Sequence, residues 1–79
     1  MTAEQVQRLE QVFRIVFELA PAADVSHVSK SSQGNWDSLC HVRLVTAIES
    51  EFKVNIDTAD ALRIDSYRTA RQIIEEWGI

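Results

Sequence analysis

Asn35-Trp36-Asp37-Ser38-Leu39 marks the point where a polar stretch gives way to an amphipathic helix. Asp37 has a short acceptor side chain suited to an N-cap, which makes Ser38 the first helical residue. The serine oxygen then lies beside backbone N–H groups that find no partner within the helix. It also lies at the positive end of the helix dipole, where an attached anion is stabilised. Residue type and position together suit a serine that carries a phosphate.

Downstream, Leu39, Val42, Leu44, Val45, Ile48 and Phe52 form an apolar set broad enough to touch two neighbouring elements, which predicts a central second helix. After Lys53-Val54-Asn55-Ile56, either Asp57 or Thr58 caps a short third helix through Ala61 and Leu62. The next cap falls at Asp65 or Ser66. A fourth helix follows over 67–77, with Ala70, Ile73, Ile74 and Trp77 on its inner face and Gly78 placed to end it. Val54 and Ile56 alternate, but no segment makes a convincing strand.

Upstream, the segment 22–35 is rich in Ser, Asp, Gln and Gly, with Val25 and Val28 as its apolar anchors. It reads as a long loop packed across the bundle, and such a length points to a functional or strongly constrained connection. Before it, Thr2 and Gln5 form a capping-box pattern. Val6, Leu9, Phe13, Val16, Phe17 and Ala20 then recur on one helical face, predicting a first helix over 3–19 that Pro21 stops. Glu4 with Arg8 and Glu10 with Arg14 are spaced to pair on its solvated side. The expected fold is all-α: a small antiparallel four-helix bundle with three main helices, a short third one, and a long loop between the first two. Residues 1–79 read as a single domain.

A chain of 79 residues buries a core too small for an elaborate active site as well as its own stabilising contacts. The net charge of −4, with no Lys/Arg cluster, excludes a nucleic-acid backbone binder. Cys40 is the single cysteine and forms no internal disulfide, which suits a reducing cytoplasm. Two histidines and one cysteine lack a metal-ligand spacing, so no metal is expected. Glu4 and Glu10 interrupt any signal-peptide pattern, and no apolar run approaches the roughly 18 residues of a membrane span. Without a recognisable general base, metal cluster or glycine-rich phosphate loop, the chain does not read as an enzyme. A binding or carrier role, exercised as a monomer, is the expectation.

Asp37-Ser38-Leu39 opening a helix, the long loop before it, Glu49-Ser50-Glu51-Phe52-Lys53-Val54-Asn55-Ile56 after it, and Ile64 ahead of the last helix together resemble the acyl carrier protein family. The tripeptide alone is a weak signal. Its place midway along an acidic four-helix pattern, over nearly the whole chain, makes the resemblance specific. The resemblance implies that Ser38 is joined through a phosphodiester to 4′-phosphopantetheine, taken from coenzyme A by a phosphopantetheinyl transferase. The thiol of that arm carries the cargo as a thioester between acyl-loading and acyl-transferring enzymes. Asp37 and Leu39 would support the attachment motif. Positions matching Ile56, Ala61 and Ile64 can line a cleft between the second and third helices that receives an acyl chain, although core packing is their simplest use.

Partner recognition falls to Leu39, Arg43, Glu49, Glu51 and Asp60 on the same resemblance. Here the chain departs from fatty-acid carriers. Positions commonly acidic two and five residues beyond the serine hold Cys40 and Arg43, and Ser50 replaces another acid. This predicts a carrier for a specialised biosynthetic route, polyketide-like, lipid-modifying or polysaccharide-decorating, whose enzymes read a different charge pattern. An aminoacyl or D-alanyl carrier, which can show Trp-Asp-Ser at this place, is the first alternative. An unmodified helical interaction module is the second. Cys40 reads as a small filler, His41 as a surface or boundary histidine, and Trp36 as either loop packing or a contact for the arm or a partner.

Overall fold

The computed structural model describes residues 1–78, and they form the expected helical bundle. Four α-helices follow in order: α1 (Ala3–Val16), α2 (Ser38–Phe52), α3 (Thr58–Arg63) and α4 (Tyr67–Glu76). One turn of 3-10 helix, Val25–His27, interrupts the long α1–α2 connection. No strand forms among the described residues, and a single isolated bridge pairs Ser29 with Ser66.

Each helix start is a local side-chain cap. In α1 the Gln5 N–H donates to Thr2 Oγ1 (3.2 Å) while the Thr2 N–H donates to Gln5 Oε1 (2.9 Å), closing the capping box. Asp57 accepts from the Asp60 N–H (2.8 Å) at the start of α3. Ser66, one of the two expected caps for α4, accepts from the Thr69 N–H (3.0 Å). Gly78 takes φ 73° just beyond α4, a conformation that suits a residue without Cβ.

Helix α1 stops at Val16, three residues before the expected 19. Glu18 adopts φ 54°, the Leu19 N–H donates to the Arg14 carbonyl (2.9 Å) and the Glu18 N–H to the Ile15 carbonyl (3.4 Å). These bonds make a left-handed helix cap without glycine. The early ending has a tertiary cause. It turns Phe17 onto Trp36, ring centroids 4.8 Å apart, and leaves the Phe17 carbonyl to accept from Asn35 Nδ2 at 3.2 Å.

Arg14 pairs with Glu10 as expected (3.5 Å), but Arg8 turns away from Glu4. Its Nε donates to Glu51 Oε1 (2.7 Å), a second nitrogen donates to the Glu51 carbonyl, and its guanidinium stands 5.4 Å from the centre of the Phe52 ring. Carboxylate, helix-end carbonyl and aromatic face together outcompete one exposed partner on the same helix.

The connection between α1 and α2 is pinned rather than loose. Val25 and Val28 are buried, as their apolar character predicts, and Asp24 accepts from the Ser26 N–H (3.0 Å) to hold the 3-10 turn. The Lys30 N–H donates to the Asp65 carbonyl (2.7 Å) and the Tyr67 N–H to the Val28 carbonyl (2.9 Å), sewing the loop to the start of α4. Helix α2 packs chiefly on α1 and buries Leu44 and Ile48 completely. Leu39 and Val42, expected on the buried face, are 66 % and 62 % exposed, because no second element covers that side. Ala70, Ile73 and Ile74 of α4 complete the core, with Trp77 only half-buried.

Phe13 is the hub of that core. Its ring meets Phe17 at 5.8 Å, Trp36 at 6.2 Å and Tyr67 at 5.4 Å, the last two edge to face. Tyr67 is buried, yet its hydroxyl has no hydrogen-bond partner among the described residues. Burial first, and the Glu10 carboxylate second, push its phenol above the ordinary tyrosine range.

Two stability changes follow. Glu18→Gly removes the left-handed penalty on a residue with a Cβ and is expected to stabilise by about 0.5–1 kcal/mol in urea denaturation. Tyr67→Phe discards a buried hydroxyl that finds no well-formed hydrogen bond among the described residues and is expected to stabilise by about 1 kcal/mol. Because the raised phenol pKa favours the fold only while the group is neutral, the unmutated chain should lose stability as pH rises through 10, and the Phe variant should lose less. Equal alkaline losses in both chains would contradict this reading of Tyr67.

Candidate functional site

Trp36 is the anchor from which the site is built. Its indole is 5 % exposed, inserted beside Phe13 and Phe17, so packing fixes the backbone immediately before α2. Asp37 follows in an extended conformation and accepts from the Cys40 N–H at 2.8 Å, while its carbonyl takes the His41 N–H at 2.9 Å. Ser38 is therefore the first residue of α2, and it is exposed. The sequence placed this serine correctly because a cap is a local signal. Its side chain stands at the positive end of a helix of 15 residues, among first-turn amides of which Asp37 satisfies that of Cys40.

His41 has a larger role than sequence reading assigned to it. The Trp36 indole N–H donates to His41 Nδ1 (3.1 Å), and His41 Nε2 lies 2.9 Å from the Ala61 carbonyl. An indole nitrogen can only donate, so Nδ1 is the acceptor and Nε2 carries the proton towards Ala61. The neutral imidazole, half-buried and stacked on Trp36, thus joins the segment before Ser38 to α3. Its partners lie five residues before it and 20 after it, beyond the reach of a local motif. Only the Trp36 and His41 pair flanking the serine hinted at the contact.

The remaining expected site residues divide sharply. Leu39 and Arg43 are exposed near Ser38. Cys40 is half-buried and, with Ile15, Glu18, Asn35, Asp37 and Arg43, lines a cleft of about 330 Å³ between the end of α1 and the start of α2. Three carboxylates expected to face partners are held by the chain itself. Glu49 Oε2 accepts from the Ile56 N–H (2.8 Å), and Glu51 is bound by Arg8. Asp60 pairs with Arg63 (3.1 Å), whose other nitrogen reaches Glu76 at 3.0 Å. Glu76 first and Asp60 second raise the Arg63 guanidinium above its ordinary pKa. Ile56 and Ala61 are half-buried beside the α2–α3 connection, whereas Ile64 belongs to the core at 2 % exposure.

The architecture defines a class: an all-helical bundle that presents one serine at the start of its second helix, with the preceding loop fastened to the core. No protein-family model matches the chain. Over 74 residues, 94 % of this chain, it is 31 % identical to acyl carrier protein 4, chloroplastic, of Arabidopsis thaliana. The chain spans 54 % of that relative's length. This similarity supports the acyl carrier protein family. No helix among the described residues is long and apolar enough to cross a membrane.

A double-mutant cycle tests the Trp36–His41 bond. With Trp36→Phe and His41→Ala measured singly and together, the coupling energy should be about 1 kcal/mol in chemical denaturation. Additive effects would leave the two side chains as independent packing residues.

Proposed function

We propose that this chain is a non-enzymatic acyl carrier in which Ser38 bears 4′-phosphopantetheine through a phosphodiester. One observation carries the proposal: Ser38 is exposed at the first position of α2, while Trp36 and Asp37 on its N-terminal side are held by packing and capping. The residues fit the group. An exposed hydroxyl can be reached by a modifying transferase, and the start of α2 stabilises the single negative charge of a phosphodiester. When bound, the arm supplies a terminal thiol that holds cargo as a thioester and passes it to the next enzyme. The chain's own part is to fix the attachment oxygen, keep it in water and offer surfaces to successive partners.

The partners on this reading are a phosphopantetheinyl transferase and the enzymes that load and unload the cargo. Ile56 and Ala61 flank the α2–α3 connection with Ile64 beneath, and they are the residues an acyl chain would meet on entering there. The unusual charges of α2 favour a specialised pathway over central fatty-acid synthesis. We place the carrier in the cytoplasm as a monomeric single domain, a setting compatible with one unpaired cysteine, Cys40.

The test is modification of the purified chain by coenzyme A and a broad-specificity phosphopantetheinyl transferase, followed by intact mass measurement. One prosthetic group should be gained by the unmutated chain and none by Ser38→Ala. A chain that gains no mass under conditions that modify a control carrier would be an interaction module instead, and a gain that survives Ser38→Ala would move the attachment elsewhere.

A further inference from the structure

At 3.6 residues per turn, His41, Val45 and Ile48 lie within about 80° of Ser38 on one side of α2. That side runs from the exposed serine, past the half-buried His41 and Val45, to the fully buried Ile48. An apolar chain tethered at Ser38 and seeking cover would follow this stripe between α2 and the segment 56–61. Two polar ties close that seam. His41 Nε2 donates to the Ala61 carbonyl (2.9 Å) one turn after the serine, and the Ile56 N–H donates to Glu49 Oε2 (2.8 Å) about two turns farther along.

His41 is the tie nearer the tether, and its ring is held from both sides. The buried Trp36 indole donates to Nδ1 (3.1 Å), which fixes the tautomer and aims the Nε2 proton at Ala61. The imidazole also occupies the seam, half-buried and stacked on Trp36. Turning it aside would leave the Trp36 N–H without its acceptor. Beneath it Leu44, Ile48 and Ile64 are 2 % exposed or less, so an entering chain would also have to displace close-packed side chains.

We propose that His41 is a latch on this seam that keeps cargo outside the bundle, so that the carrier serves acyl groups short or polar enough to stay in water. The proposal rests on the carrier reading and deepens it by assigning the class of cargo. His41 bonds to the α3 backbone and takes no part in attachment or transfer. It determines specificity by denying entry.

The full chain, isotopically labelled, is loaded at Ser38 from acetyl-coenzyme A or hexanoyl-coenzyme A by a broad-specificity phosphopantetheinyl transferase, and loading is checked by intact mass. In the unmutated chain the two cargoes should give the same NMR signals at Val45, Ile48, Ile56, Ala61 and Ile64. H41A removes the tie and vacates the volume of the ring. Its hexanoyl form should shift these signals relative to its acetyl form and show contacts from the alkyl chain to the Val45 and Ile64 methyl groups. H41Q, whose amide can still donate to the Ala61 carbonyl, should restore the unmutated behaviour. Should H41A not fold, Trp36→Phe, which withdraws the indole donor from Nδ1, takes its place with the same expectation. Hexanoyl contacts to these side chains in the unmutated chain would overturn the latch, as would a folded H41A chain that leaves hexanoyl in water. A chain that gains no mass from either donor removes the carrier reading and the latch with it, whereas a loaded chain that buries hexanoyl removes the latch alone.

Discussion

The burial of Trp36 is the constraint on which the site depends. An indole beside Phe13 and Phe17 contributes a large apolar area, an edge-to-face contact with Phe13 and a tilted contact with Phe17 to a small core. The same burial fixes the chain one residue before the cap of α2. The serine is thus positioned by the aromatic part of the core, although it is itself exposed to solvent. Asn35 adds a polar tie from the same segment to the end of α1, so the helix that ends early and the helix that begins the site meet across one short stretch. Stability and presentation are properties of the same few residues.

The features legible in the sequence were those that depend on near neighbours. Thr2 with Gln5, Asp37 with Cys40, Asp57 with Asp60 and Ser66 with Thr69 are contacts over three residues, and each follows from a side-chain acceptor beside otherwise unpaired amides. The four helices and the place of Ser38 follow from these signals and from apolar spacing. Val25 and Val28 were legible for a similar reason, as isolated aliphatic residues in a polar stretch.

What escaped the sequence was choice among distant partners. Arg8 has an acid four residues earlier, but Glu51, a backbone carbonyl and the Phe52 ring converge on it from α2. His41 has no orienting acid nearby, and its two bonds become visible only when the loop and α3 are brought together. Leu39 and Val42 match a buried helical face by spacing, but spacing does not tell whether a neighbouring element arrives to cover it. The carboxylates Glu49, Glu51 and Asp60 show the converse. Their type suggests an outward electrostatic role, whereas their contacts are internal and mechanical.

Helix α3 contributes no buried side chain of its own. Six residues are too few to sustain a helix without support, so its order is borrowed from the bonds at its margins. One is the His41 contact to Ala61, and another is the bridge from Arg63 to Glu76 on α4. Releasing those two polar ties would expose little apolar surface while Phe13, Leu44 and Ile73 kept the other helices assembled. The molecule therefore has a graded resistance to opening, in which the amides of α3 exchange with solvent at a lower free energy than those facing the aromatic hub.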